Sequence, residues 1–188
     1  NSFIPALRDR NPKFKVQYNC VKKHCLLAEP DGIGMAGHYV PWHNQVINEL
    51  QKRENKVTVL CNKKQDNSLY ACQAKNVFTS HSWGISRGDW CFKKGFEEHS
   101  SFKIFFTELG TAVKSYCSEA NAQEITLFMY YGSVQILFGM HLLKTELKQH
   151  NIKLNVSICL FHESVILDNA IKVPRLPPNA RKILLEGL

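Results

Sequence analysis

Short apolar or β-branched runs alternate along the chain with segments of helical period, and the first of these runs is followed by a glycine-rich turn. This alternation predicts an α/β fold of the Rossmann-like kind, a mostly parallel sheet with helices on both faces. Strands covered on both faces read as continuous apolar stretches, and that is how these read. Composition agrees: of 188 residues, 44% are hydrophobic and 21% charged, which suits one globular domain and excludes a disordered chain.

The elements follow in order. Residues 1–19 make a basic, irregular segment in which Arg8, Arg10, Lys13 and Lys15 face the single acid Asp9. Val21 to Ala28 reads as the first strand, broken by Glu29-Pro30-Asp31-Gly32. A helix is expected from about Val40, with Val40, Ile47 and Leu50 on one side. Pro41 fits its first turn, where a missing N–H leaves no bond unmade. Lys56 to Cys61 is β-branched and apolar, a second strand, and Leu69 to Phe78 a third.

In residues 79–102, Gly84, Gly88 and Gly95 alternate with Trp83, Trp90, Phe92 and Phe96, which suggests a long loop with local helical turns. Phe105, Leu109, Ala112, Val113, Tyr116 and Cys117 then recur at helical spacing. Ile125 to Tyr131 reads as a strand, Ser133 caps a helix to about His150, and Ile152 to Phe161 is the last strand. Residues 174–188 form an exit segment with Pro174, Pro177 and Pro178. Ile125 to Leu143 lacks any charged residue and approaches the roughly 20 residues that cross a bilayer. Gly132, Ser133, Gln135, Gly139 and His141 interrupt it, so a buried strand followed by a buried helix explains it better. The whole chain, 1–188, is expected to form a single domain.

Charge and cysteine usage narrow the partners. Lys and Arg number 24 against 16 Asp and Glu, a formal charge of +8, which favours anionic partners. Basic clusters at Arg8–Lys15, Lys22-Lys23, Lys63-Lys64 and Lys93-Lys94 carry no nucleic-acid motif, so nucleic acid is not the expected partner. An anionic membrane surface suits them, as does a solvated face. The seven cysteines include no C-x-x-C pair, which points to a reducing, cytoplasmic setting with most thiols buried. Cys20, His24 and Cys25 lack a second ligand pair, so no metal is expected.

In sheets of this kind the working groups lie outside the carboxyl ends of the strands. That rule selects the turn at 29–38, the turn at 131–133, and His162-Glu163 after the last strand. Gly32-Ile33-Gly34-Met35-Ala36-Gly37 is literally G-x-G-x-x-G after a strand and before a helix. Glycines allow close backbone approach there, and a helix start offers free N–H groups to a phosphate. The dinucleotide fingerprint also wants an acid ending the second strand, whereas this one ends Cys61-Asn62-Lys63-Lys64. Those lysines suit a 2′-phosphate, which keeps an NADP-binding oxidoreductase domain as an alternative. A non-catalytic basic module for nucleic acid or anionic membrane is another.

Residues 31–61 resemble the opening of GT-B glycosyltransferases, in particular the large retaining family typified by sucrose and glycan synthases. Asp31-Gly32, Gly34, Gly37-His38, Glu49-Leu50, Arg53 and Val57-Thr58-Val59-Leu60 follow that family's order of glycine turn, helix, basic residue and Val-rich strand. The unit from Ile125 through the helix 133–150 to Phe161-His162-Glu163 is similar to the second half of its amino-terminal domain. The resemblance implies the acceptor-binding domain of an enzyme moving a sugar from a nucleotide sugar to a glycan or lipid-linked acceptor. It implies His162 and Glu163 as catalytic groups, and Gly34, Gly37, His38 and Tyr131 as substrate-binding ones, with no further cofactor. The Tyr131-Gly132-Ser133 turn departs from the His-x-His common there. The donor-binding domain has no counterpart in this chain, so a missing carboxyl-terminal domain or a partner chain would complete the enzyme. Alone the chain is expected to be inactive, cytoplasmic, and able to sit peripherally at a membrane.

Overall fold

The computed structural model describes residues 23–34, 39–79, 100–130 and 134–158. Within them β1 (His24–Glu29), α1 (Tyr39–Lys52), β2 (Lys56–Asn62) and β3 (Gln73–Phe78) are followed by α2 (Ser100–Ala120), β4 (Glu124–Met129), α3 (Val134–Gln149) and β5 (Lys153–Ile158). All five strands are parallel, in the order β3-β2-β1-β4-β5. The α/β, Rossmann-like class is therefore the observed one.

Strand side chains alternate between two cores, as a period of two requires. Cys25 and Leu27 of β1, with Val57, Val59 and Cys61 of β2, pack on Val40 and Ile47 of α1. Leu26 and Ala28 point the other way, joining Leu60, Ile125, Leu127, Met129 and Leu154 against α2 and α3. Helix α2 buries Phe102, Phe105, Leu109, Val113, Tyr116 and Cys117, and α3 buries Ile136, Met140, Leu143 and Leu147. These are the three- and four-residue spacings of one helical face. At the contact between the two helices, a Cβ on Gly139 would lie 2.1 Å from the Phe106 ring, so only glycine fits there.

Each helix ends in the same way. Glu54, Asn121 and Asn151 take left-handed φ values of 59°, 49° and 57°. The N–H groups of Asn55, Ala122 and Ile152 then donate to the carbonyls of Leu50, Cys117 and Leu147. This closes the last turn and aims the chain straight into the next strand. Three such exits in succession keep the strands running the same way.

Several boundaries differ from expectation, including β2, which runs on to Asn62 rather than ending at Cys61, and β5, which starts at Lys153 rather than Ile152. Among the described residues β1 begins at His24 and runs through Glu29, one residue beyond Ala28, because Glu29 still pairs with Cys61. The third strand starts at Gln73 rather than Leu69; Asn67–Leu69 is a 3₁₀ turn, and Asp66 caps it by accepting from the Ser68 N–H. Ser100 to Phe102 is already helical rather than loop. The fourth strand ends at Met129. The uncharged stretch from Ile125 divides into β4 and the first part of α3, and no helix among the described residues is long and apolar enough to cross a membrane. The segments 1–19, 80–99 and 174–188, the capping role of Ser133, and the end of the last strand lie outside the described residues.

Candidate functional site at the carboxyl ends of β1 and β4

The chain builds β1, β2 and β3 outward in one direction, then returns to place β4 on the other side of β1. The strand order reverses there, and in open α/β sheets the crevice outside the strand ends at that point takes the ligand. Register sets the rim level, with Glu29 beside Cys61 and Ala28 beside Met129. The rim is thus formed by Glu29 and the turn after it, Asn62 at the end of β2, and Tyr130 just after β4.

Glu29 is the centre of this rim. Only 2% of it is exposed, although it is an acid. Its Oε1 accepts from the N–H groups of Asp31 at 3.0 Å and Gly32 at 2.6 Å. Its Oε2 lies 3.2 Å from Nε2 of His43, which is itself fully buried on α1. Burial pushes the Glu29 carboxyl up to about 7, and the nearby Asp31 adds to the rise, while the two N–H groups draw it back. A Cβ on Gly32 would press on Glu29 Cγ at 3.3 Å, a contact tight enough that the Glu29 side chain would have to give by a few tenths of an ångström.

The rest of the turn is held from β2. Gly34 has φ of +64°. Its N–H donates to Gln65 Oε1, and its carbonyl accepts from Gln65 Nε2 at 3.2 Å. The same Nε2 reaches the Tyr70 hydroxyl at 3.2 Å. Asn62 donates from Nδ2 to the Pro30 carbonyl at 2.9 Å. The turn is therefore fixed by three buried side chains, Glu29, Asn62 and Gln65, each bonding to its backbone. Satisfied polar networks of this kind specify one conformation.

Aromatic rings enclose the imidazole. Tyr130 lies 4.2 Å from the His43 ring centroid and Tyr70 meets it edge-on at 6.2 Å. Trp42 stacks beside Tyr130 at 6.4 Å, and the Tyr130 hydroxyl donates to the Trp42 carbonyl. Burial pushes the Tyr70 hydroxyl up, so it stays protonated. Cys61, below it, is held up at about 11 by burial, which leaves a thiol rather than a nucleophilic thiolate. Among the described residues, no group of three His, Cys, Asp or Glu side chains could hold a metal ion. A cavity of about 390 Å³ lined by Lys23, His24, Asn121 and Asn155 opens at the opposite, amino ends of the strands.

Of the residues singled out from the sequence, Gly34 stands in the switch-point turn with its N–H committed to Gln65. Gly37, His38, Tyr131, His162 and Glu163 lie outside the described residues. The sequence reading missed Glu29, which it took as a strand breaker, and His43, Gln65 and Tyr130. Two signals were present. An acid directly follows the apolar run Leu26-Leu27-Ala28, and His43 falls at helical spacing between Val40 and Ile47. Both patterns place a titratable group on a buried face.

No family model matches the chain, and comparison with curated proteins and with solved structures gives no match either.

Proposed function

We propose that this chain is the acceptor-binding domain of a GT-B sugar transferase, working with a separate donor-binding domain. The observation that carries the reading is the braced glycine turn, Pro30 to Gly34, at the topological switch point between β1 and β4. The order of residues from Asp31 to Leu60 resembles the opening of that enzyme family, and the switch point is where such a domain would receive its ligand. His162 and Glu163 are the proposed catalytic groups. An imidazole there titrates near neutrality and would polarise the reacting hydroxyl.

A second reading, an NADP-binding oxidoreductase domain, is favoured by exposed Lys63 and Lys64 directly after β2. Against it, β2 ends in a buried Asn62 whose amide is spent on Pro30 rather than on a ribose. Titration of the labelled chain with methyl glycosides, nucleotide sugars and NADP decides between them. Shifts at the amides of Gly32, Gly34 and Tyr130 with glycosides support the acceptor domain. Saturable binding of NADP alone overturns it. In the complete enzyme His162→Ala is expected to lower turnover far more than stability; unchanged turnover would remove His162 from the site.

A further inference from the structure

A glycine turn after the first strand of a parallel sheet is ordinarily an anion hole, because its backbone N–H groups point outward at a phosphate. In this chain three of them, on Asp31, Gly32 and Gly34, point inward. Asp31 and Gly32 donate to Glu29 Oε1, and Gly34 donates to Gln65 Oε1. Pro30 has no N–H to offer. Both acceptors belong to buried side chains, 2% exposed for Glu29 and 5% for Gln65, so water does not compete for them.

We propose that Glu29, with Gln65, is a specificity-determining residue. By occupying the N–H groups of the switch-point turn, it makes that turn reject phosphate and favour a neutral, hydroxylated ligand. The inference rests on reading this crevice as the acceptor site, and it deepens that reading by naming the ligand class. A phosphate is an acceptor only and needs several donors converging on it. To reach the N–H groups of Asp31, Gly32 and Gly34 it would have to displace a buried carboxylate oxygen and a buried amide oxygen. A sugar hydroxyl donates as well as accepts, so it can bond to a backbone carbonyl oxygen, which a phosphate cannot. Occupancy of the N–H groups, not net charge, is the operative feature. The Asp31 and Gly32 N–H groups also satisfy the buried Glu29 carboxyl, which burial without a hydrogen-bond partner would penalise.

The test is pyrophosphate titration of the labelled 188-residue chain, read at the Gly32 and Gly34 amides, for four proteins. The wild type and Glu29→Gln, which keeps an acceptor oxygen in place, are expected to show no saturable shift. Glu29→Ala, which frees two N–H groups, is expected to bind pyrophosphate at least about tenfold more tightly. Gln65→Ala frees the Gly34 N–H and leaves the Glu29 pair intact; a gain in the same direction is expected, and it decides the matter should Glu29→Ala fail to fold. Saturable binding at these amides in the wild type, an equal gain in Glu29→Gln, or no gain in the folded alanine variants would overturn the proposal. Methyl glycosides added to the wild type separate the two failures. If they leave these amides unmoved, the acceptor reading fails. If they shift them while the alanine variants gain nothing, only the present inference fails.

Discussion

The imidazole Nε2 of His43 lies 3.2 Å from the Glu29 carboxylate, and neither side chain reaches solvent. One residue ends the central strand and the other sits on the first helix, so the pair ties α1 to the rim that carries the glycine turn. Burying such a pair contributes little net stability, because desolvation offsets the attraction, but removing one partner leaves the other stranded. His43→Leu is therefore expected to destabilise the chain by about 3–5 kcal/mol in urea unfolding. Glu29→Gln combined with His43→Leu should lose less than the sum of the two single changes, through a coupling of about 0.5–3 kcal/mol. Strict additivity would show that the two groups do not interact.

The pH dependence of stability has a definite sign. Glu29 holds its proton up to about 7 in the folded chain, against 4.5 for an ordinary carboxyl. Between those values the folded state binds more protons than the unfolded one. The contribution is thus fully present below 4.5 and is lost as pH rises through about 7. Relative to Glu29→Gln, which mimics the protonated acid, the wild type is expected to lose roughly 1–3 kcal/mol between about pH 5 and about pH 8. Parallel melting curves for the two proteins across that range would show that Glu29 does not titrate there.

Gly34→Ala isolates a backbone effect. No heavy atom lies within 4 Å of the added Cβ, so the penalty comes from φ of +64° alone. About 1–2 kcal/mol is expected, and Gly34→Asn should be milder because asparagine tolerates the left-handed region. Equal destabilisation by both variants would point to a lost contact instead.

Gly139→Ala tests packing where α2 meets α3. The new Cβ would collide with the Phe106 ring at 2.1 Å, and the overpacking should destabilise by about 1–3 kcal/mol despite the better helix propensity of alanine. Gly110→Ala, on the same interface, meets only the tip of Leu143 at 3.1 Å and should be much milder. Phe106→Ala is expected to rescue the Gly139 variant in a thermal melt. No rescue would mean that the clash is elsewhere.

Much of the fold was legible because hydrophobic period reports burial directly. Phe105, Leu109, Val113, Tyr116 and Cys117 fell on one helical face and are buried together. Val57, Val59 and Cys61 did the same for a strand. Boundaries were less legible where polar side chains compete with the backbone. At Asp66 to Leu69 a carboxylate cap creates a 3₁₀ turn inside a segment that strand propensity alone would have extended. The start of α2 was obscured because glycines and aromatics immediately before it resemble a loop.

The site divides along the same line. Pattern alone marked the turn after β1 and, through the rule of strand ends, the rim on which function should be sought. Composition also marked an apolar fraction of globular size and a basic balance. Folding decided that Glu29 and Gln65, 36 positions apart in the chain, close on the same five-residue turn, and that His43 meets a carboxylate rather than a solvent molecule. Local periodicity encodes which way a side chain faces, but partners from different elements are chosen by strand order and register. Those are set only when the sheet assembles.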